Sequence, residues 1–164
     1  MYVWVPMQKD DIDQVMTLSE IVHPGLPEGR VTQEQRLSVF PRGCFVLKEG
    51  STIHGYAFSH PIRHGLPPEL DTAPAQIPQD ADELYLHDFV VSAAVRGCGY
   101  ASAGIKEILR LSDAFAAMAL ISVYGTASFW GKFGFVPSSA VPATQLISYG
   151  ADAIYMVRPN GPAG

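Results

Sequence analysis

The chain has 164 residues, of which 48% are hydrophobic and 16% charged, a composition typical of one packed domain and unlike disordered, collagen-like or coiled-coil chains. Sixteen acidic against eleven basic residues give a formal charge of −5, and no cluster of Lys or Arg predicts a nucleic-acid partner. The longest apolar stretch is too short for a bilayer, and the N-terminus does not resemble a secretory signal. Cys44 and Cys98 make neither a disulfide framework nor a zinc ligand set. From these observations together we expect no metal, no membrane contact and a cytoplasmic location.

Apolar periodicity and turn residues divide the chain into strands and helices. The first half predicts, in order, a strand at residues 2–5, a helix with apolar residues from 12 to 22, a second short helix, and strands at 44–48 and 53–59. Asp10 or Asp11 can cap the first helix, and Thr32 with Gln35 resembles a capping box for the second. Residues 23–27 contain two prolines and a glycine, which break the first helix.

The second half begins with a proline-rich segment, residues 60–82, which is longer than most loops inside a compact domain. After it we predict a central strand at 84–91, a glycine-containing turn at 96–101, a helix from residue 101, a strand at 118–124, a short helix at 126–132 and a last strand at 153–157. The pattern predicts one mixed α/β (α+β) domain over residues 1–158, followed by a C-terminal tail at 159–164.

The turn after the predicted central strand is the most informative segment. Gly97, Gly99 and Ala101 have no bulky side chain, so an anion can approach their backbone closely. The N–H groups and the dipole at the start of the next helix attract such an anion. Arg96 adds a fork of donors suited to phosphate oxygens. The segment therefore predicts a pyrophosphate site, and the alternative is a glycine-rich connection with a surface arginine.

Two motifs around this turn resemble those of the GNAT N-acetyltransferase superfamily. Arg96-x-x-Gly99-x-Ala101, after a strand that ends at Val91, is similar to the family's acyl-CoA signature (R/Q)-x-x-G-x-(G/A). Residues 127–135, ASFWGKFGF, are similar to the family's A-x-x-F-Y-x-x-x-G-F and lie at the expected distance downstream. The resemblance implies the GNAT fold, a mostly antiparallel central sheet flanked by helices and splayed between strands 4 and 5.

The resemblance also implies acetyl-CoA as co-substrate. In this family the turn's amides bind the pyrophosphate of coenzyme A, and the pantetheine arm lies along the fourth strand. The residues carried over for this role are Phe89, Val90 and Val91 on the strand, Arg96, Gly97, Cys98, Gly99, Tyr100 and Ala101 in the turn, and Ser128 and Trp130 in the second motif. Cys98 stands at a variable motif position, so we interpret it as filler and not as a nucleophile. Cys44 is predicted to be a core residue of the second strand.

Acyl transfer to an amine requires a polarised thioester carbonyl, a deprotonated amine and a departing thiolate. A backbone N–H of the splayed fourth strand can polarise the carbonyl. His87 is the predicted base because its ordinary pKa lies near neutrality, and the alternative is a hydrogen-bonded strand histidine without a proton role. Asp88 is a second catalytic candidate, which would orient a neighbour or reach the substrate. Strand alternation places Tyr85, His87 and Phe89 on one face and Leu86, Asp88 and Val90 on the other.

Trp130 departs from the family pattern, which usually has tyrosine there as the acid for the leaving thiolate. An indole N–H donates hydrogen bonds but has no usable acidity, so water or no acid must suffice. Tyr124, at the end of the predicted fifth strand, is the nearest substitute acid, and its alternative is a simple aromatic residue at a strand end. Polyamine acetyltransferases resemble this strand but carry an acidic residue in place of His87, which argues against a polycationic acceptor.

The sequence therefore predicts an acetyl-CoA-dependent N-acetyltransferase that moves an acetyl group to a primary amine by direct attack in a ternary complex, since no activated nucleophile is visible. The alternative is a catalytically weak acyl-CoA-binding or regulatory module. The acceptor is a small-molecule or peptide amine, and the resemblance allows a homodimer. His54, His60 and His64 lack acidic or cysteine partners at metal-ligand spacing, and His23 is predicted to border the acceptor site.

Overall fold

A computed structural model describes residues 1–24 and 28–160 of the chain. The strands are β1 (Tyr2–Pro6), β2 (Cys44–Glu49), β3 (Thr52–Ile62), β4 (Glu83–Val91), β5 (Ala117–Ser122), β6 (Val136–Pro137) and β7 (Ile154–Pro159). The α-helices are α1 (Ile12–Val22), α2 (Arg30–Val39), α3 (Tyr100–Ser112) and α4 (Ala127–Gly131). Short 3₁₀ segments lie at Lys9–Asp11, Pro41–Gly43, Ala93–Val95 and Ala143–Tyr149. No helix in these residues is long and apolar enough to cross a bilayer.

The strands form one seven-stranded sheet in the order β1-β2-β3-β4-β5-β7-β6. Neighbouring strands are antiparallel except β4 and β5, which are parallel. The parallel pair is joined only from Glu83 opposite Ala117 to Leu86 opposite Leu120, beyond which the two strands separate. A mostly antiparallel sheet that opens between the fourth and fifth strands confirms the predicted fold.

Apolar side chains cover the sheet in three clusters and hold β4 at its centre. The first cluster packs α1 against β2 and β3 and includes Val15 and Phe58. The second packs α3 and α4 on the sheet and includes Ile108 and Leu120, and the third surrounds Tyr85 beside the Ala143–Tyr149 segment. Each fully buried large side chain stabilises the fold by about 1.5–3 kcal/mol, so these clusters fix the strand positions.

A β-bulge interrupts the pairing of β4 with β3 at His87. Phe58 pairs with Asp88 and Ser59 pairs with Leu86, so His87 has no residue opposite it. The extra residue lies just where β4 loses its contact with β5, because Leu86 is also the last residue paired with that strand.

The bulge changes which side chains of β4 share a face. His87 contacts an arginine of α2 and Asp88 contacts a tyrosine of β3 that belongs to the α1 cluster, whereas Phe89 packs with the α3–α4 cluster. The predicted alternation is therefore wrong: His87 shares a face with Asp88 and not with Phe89. The bulge also puts Leu86 and Val90, which regular alternation would place on one face, on opposite faces, where they pack in different clusters.

The start of α2 also differs from the prediction. The helix begins at Arg30 after Gly29, so Thr32 lies inside the helix instead of capping it. The hydroxyl of Thr32 donates to the carboxylate of Asp71 at 2.8 Å, and the amide of Gln35 donates to a carbonyl of the proline-rich segment. The predicted capping box is wrong because these two side chains bind a distant loop.

Two predicted strand ends lie further along the chain in the structure. β3 continues to Ile62 and includes Pro61, which is tolerated because β2 begins opposite Phe58 and leaves this part of β3 paired with β4 alone. β7 continues to Pro159, and the side chain of Asn160 donates to two carbonyls near the end of α3. The described fold thus extends into the segment that the sequence assigned to the tail.

Candidate active site

A cavity of about 700 Å³ opens where β4 and β5 separate. Its wall is formed by the end of α1, the second half of β4, the turn before α3, the end of β5 and α4. The predicted pyrophosphate turn and the strand predicted to bind pantetheine therefore face one space. A cavity of this volume is within the usual range for a small-molecule or cofactor site.

The turn before α3 presents a row of N–H groups without acceptors. Gly97 and Gly99 have φ values of +79° and +86°, which a residue with a Cβ adopts only with strain. The first hydrogen bond of α3 runs from the N–H of Ala103 to the carbonyl of Gly99. Within the described residues no acceptor lies in hydrogen-bond reach of the N–H groups of residues 97–102. This geometry fits an anionic group such as a pyrophosphate.

The structure divides the predicted turn residues into two groups. Those that line the cavity are Arg96, Gly97, Gly99 and Ala101, together with Ser102, which the sequence analysis missed. Cys98 is exposed and does not line it. The carbonyl of Tyr100 accepts a 2.8 Å hydrogen bond from the indole of Trp4, so this residue attaches the turn to β1. The Nε of Arg96 donates to the carbonyl of Val91 at 3.1 Å.

The open edge of β4 supplies main-chain groups to the cavity. Phe89, Val90 and Val91 line it as predicted, and beyond Leu86 they have no partner on β5. His87 also borders the cavity, although its side chain is only 1% exposed, so it presents its main chain. The strand therefore offers backbone hydrogen-bonding groups on the side that β5 has left.

The ring of His87 is enclosed. Its Nε2 lies 2.5 Å from Nη2 of Arg36 and 3.2 Å from Oε2 of Glu28. A guanidinium only donates and a carboxylate only accepts, so the two contacts make opposite demands on Nε2, and both hold the ring in place. Burial, followed by the charge of Arg36, lowers the pKa of His87. This geometry supports the alternative of a hydrogen-bonded strand histidine over the predicted base.

Arg36 and Glu28 form a buried ion pair behind the bulge. Arg36 also donates to the carbonyl of Thr72, and Glu28 accepts from the N–H of Asp71, so the pair binds α2 to the proline-rich segment. Burial raises the pKa of Glu28, but the hydrogen bonds and charges of His87 and Arg36 outweigh it and hold that pKa well below its usual range. The network keeps the carboxylate ionised.

A second polar group on the cavity wall joins α1, β3 and β4. Oδ1 of Asp88 lies 2.9 Å from Nε2 of His23, and Oδ2 accepts a 2.6 Å hydrogen bond from the hydroxyl of Tyr56. Burial lowers the pKa of His23. The hydrogen bond and charge of Asp88 together outweigh this effect, so the pKa lies above the usual histidine value. The sequence analysis placed His23 near the acceptor but missed this partnership, because 65 residues separate the two side chains.

Aromatic residues complete the wall. Trp130 packs edge-on against Phe89 with ring centroids 6.2 Å apart, and both line the cavity. Tyr124 follows β5 with a φ of +57°, is 53% exposed, and stacks on His23 with centroids 5.8 Å apart. Burial and the charge of Asp88 raise the pKa of Tyr124. Ser128 is exposed and does not line the cavity.

The remaining histidines do not line this cavity. His60 is buried beside the ring of His87, His64 hydrogen-bonds the buried carboxylate of Glu83, and His54 lies near a glutamate of the β2–β3 hairpin. Across residues 1–24 and 28–160, no three His, Cys, Asp or Glu side chains are grouped so as to hold a metal ion.

Comparison with known proteins identifies the family. A family model described as the acetyltransferase (GNAT) family matches residues 12–135, which include both motifs. No curated protein matches the chain in sequence. Solved structures share the fold over nearly the whole chain. Their sequence identity to this chain is so low that the likeness concerns the fold and not the activity.

Three such structures illustrate the range. GphF, a GNAT-like decarboxylase in complex with isobutyryl-CoA, has a TM-score of 0.77 at 16% identity, over 96% of this chain and 98% of that one. Arabidopsis thaliana Naa50 with the bisubstrate analogue CoA-Ac-MVNAL has a TM-score of 0.72 at 13% identity, over 95% and 96% of the two chains. The Escherichia coli ribosomal-protein-S18-alanine N-acetyltransferase has a TM-score of 0.67 at 17% identity, over 100% and 97%. The chain belongs to the acetyltransferase (GNAT) family.

Proposed function

We propose that the protein is an N-acetyltransferase that moves the acetyl group of acetyl-CoA to a primary amine by direct attack in a ternary complex. The observation that carries this proposal is one cavity that joins the N–H groups of Gly97, Gly99, Ala101 and Ser102, the open edge of β4 and the pair formed by His23 and Asp88. Family membership supports acyl-CoA-dependent acetyl transfer, and the acetyl group and the amine are our proposal.

Coenzyme A would bind through groups of three kinds. The N–H groups of the turn residues that line the cavity would donate to the pyrophosphate, and the two terminal nitrogens of Arg96, which have no partner in the described residues, would add charge. The main chain of residues 89–91 would pair with the amides of the pantetheine arm. Trp130 would pack against this arm as part of the aromatic wall. Ser128 is left out of the proposed site because its side chain does not line the cavity.

The chemistry would depend on the strand opening and on few side chains. A main-chain N–H at the open edge of β4 would donate to the thioester oxygen, a contact that strengthens as negative charge develops there. His87 would hold the bulge in place and not transfer protons, because its ring is enclosed by Arg36 and Glu28. A phenol is ordinarily protonated near neutrality, so the partly exposed hydroxyl of Tyr124 is the candidate acid for the thiolate, and its raised pKa makes it a weaker acid than a free tyrosine. Trp130 cannot supply that proton.

A screen of amines with detection of released coenzyme A thiol tests this function. The panel should contain small monoamines, amino acids and peptides with unblocked N-termini, and calorimetry should report coenzyme A binding separately. We expect coenzyme A to bind and at least one amine to release thiol. Binding without release for every amine would favour the acyl-CoA-binding module, and absence of binding would refute both.

One observation favours a second candidate, decarboxylation of a carboxyacyl-CoA. That reaction breaks a carbon–carbon bond and keeps the thioester intact, so it needs no acid at the sulfur, and Trp130 stands where the family usually has one. The similar fold of GphF, a GNAT-like decarboxylase, makes the reaction worth testing. Incubation with malonyl-CoA would give acetyl-CoA and carbon dioxide without thiol release if this candidate were right, and unchanged malonyl-CoA if it were wrong.

A further inference from the structure

We propose that His23 is the base that takes the proton of the acceptor amine and that Asp88 is its positioning residue. This inference rests on the proposed amine acetylation and deepens it. The sequence predicted the base on β4 itself, at His87. The structure instead brings a histidine from the end of α1 to the carboxylate of the next strand residue, and the histidine lines the cavity.

Hydrogen bonding fixes the tautomer of His23. A carboxylate only accepts, so the 2.9 Å contact with Asp88 requires the proton on Nε2 of His23. The lone pair of the neutral ring is then on Nδ1, which is the nitrogen a base needs to offer. Nδ1 is buried and has no hydrogen-bond partner among the described residues. An amine N–H is the kind of group that would satisfy this nitrogen, and it would reach Nδ1 once the groups that cover the atom move aside.

The groups around His23 favour the protonated ring that the reaction would form. Asp88 on β4 contacts the ring directly, and the hydroxyl of Tyr56 on β3 fixes the other carboxylate oxygen at 2.6 Å. Glu28, before α2, adds negative charge at longer range, and the uncharged ring of Tyr124 stacks on the ring of His23. Burial, followed by the charge of Asp88, raises the pKa of Tyr56, so its phenol stays a donor to that carboxylate.

The β4 bulge makes this arrangement possible. With regular alternation Asp88 would project to the α3–α4 face, away from α1. The extra residue at 87 brings Asp88 onto the α1–α2 face, where Tyr56 and His23 lie. His87 keeps the bulge in place through its contacts with Arg36. The histidine that the sequence singled out would thus support the base without being the base.

The proton and electron pairs balance without another reactant. The acceptor ammonium loses one proton to Nδ1 of His23, while Nε2–H stays hydrogen-bonded to Asp88. The nitrogen lone pair forms the C–N bond at the thioester carbon, and the C–S bond breaks with its electron pair on sulfur. The second proton of the amine leaves as the amide forms and protonates the thiolate through solvent or Tyr124. His23 then releases its proton to solvent.

The pH dependence of kcat/KM for an amine found in the screen tests the inference. His23→Gln, Asp88→Asn and the control His54→Gln should be compared with the wild-type protein, and calorimetry should confirm that coenzyme A binding is kept. His54 is a matched control because it also lies beside a carboxylate, that of Glu49, but outside the cavity. Ring NMR of His23 gives a readout that does not require turnover.

We expect His23→Gln to lower kcat by about 10²–10⁴-fold and to remove the pH limb of the base, with coenzyme A binding unchanged. The wild-type rate should rise with pH through a pKa above the ordinary histidine value, because Asp88 stabilises the protonated ring. In Asp88→Asn that limb and the NMR titration of His23 should both move to lower pH. His54→Gln should keep the wild-type profile.

Three results would count against the inference in distinguishable ways. A His23→Gln protein with the wild-type kcat and pH limb would show that another group takes the proton, while the acetyltransferase proposal stood. Absence of turnover by the wild-type protein with every amine would remove the proposed function itself and the inference with it. Titration of His23 unaffected by Asp88→Asn would refute the positioning role.

Discussion

Glu28→Gln tests the buried ion pair that holds α2 against the proline-rich segment and encloses His87. The side chain of Arg36 is 1% exposed and that of Glu28 is 7% exposed, so little water screens the pair. Removal of the carboxylate charge leaves the guanidinium buried without a counter-charge, and a pair broken in this way usually costs about 3–5 kcal/mol. Since a domain is stable by only about 5–15 kcal/mol, we expect a large loss.

Urea unfolding followed by tryptophan fluorescence measures this loss. Glu34→Gln is the matched control, because Glu34 lies on α2 like Arg36, is 3.5 Å from Arg30, and has a side chain that is 40% exposed. Exposed pairs contribute about 0–1 kcal/mol, so the control should unfold close to the wild-type midpoint. If Glu28→Gln unfolded within about 1 kcal/mol of the control, the buried pair would not stabilise the fold as argued.

The same variant has a distinct pH dependence. A carboxylate whose pKa is lowered in the folded state stabilises that state above its unfolded pKa, and the contribution is lost as the pH falls through the folded value. The pKa of Glu28 is lowered by His87 and Arg36, so the wild type should lose stability on acidification below about pH 4.3, the ordinary glutamate value. The stability difference from Glu28→Gln should therefore shrink at low pH, and a constant difference would contradict the assignment.

Three further substitutions test the turn, the packing of α3 and the leaving group. Gly99→Ala strains a φ of +86° at the start of α3 and should weaken coenzyme A binding at least about tenfold by calorimetry, a loss of 1.4 kcal/mol, whereas Gly50→Ala strains a φ of +59° in the β2–β3 turn and should not. Gly104→Ala places a Cβ 2.5 Å from the β1 indole and should destabilise the fold by about 1–3 kcal/mol in urea. In the control Gly131→Ala, the new Cβ has no described atom within 4 Å and should not change the midpoint. Equal midpoints for the two variants would be evidence against this packing. Trp130→Tyr should raise kcat if the missing acid limits the rate, and an unchanged kcat would show that thiolate departure is not limiting.

The local features of the site could be predicted from the sequence because neighbouring residues determine them. The glycine-containing turn starts a helix at Tyr100, one residue before the position expected, and two glycines of that turn have the positive φ that favours glycine. Cys44 is fully buried on β2 as predicted, and burial raises the pKa of its thiol to about 12. These features depend on the conformational preferences and apolar patterning of short stretches of chain, which can be inferred from the sequence.

The contacts that distinguish the candidate bases could not be predicted in this way. Alternation along β4 assumed regular pairing, but the register with β3 skips His87 and reverses the faces of the residues after it. The attachment of the turn to β1 by Trp4 was also missed, because 96 residues lie between the indole and the carbonyl that it binds. Nothing within the strand or the turn signals these partners.

By itself, the sequence determined the order of strands and helices and the glycine-containing turn before α3, since helix starts, glycine conformations and apolar periodicity are local properties of the chain. Only the tertiary structure decided which histidine side chain is enclosed and which lies beside the cavity. His87 meets an arginine 51 residues away, and His23 meets Asp88 across 65 residues. Strand register, burial and charge pairing arise only when distant segments pack together, and they fix which side chain is enclosed and which remains beside the cavity.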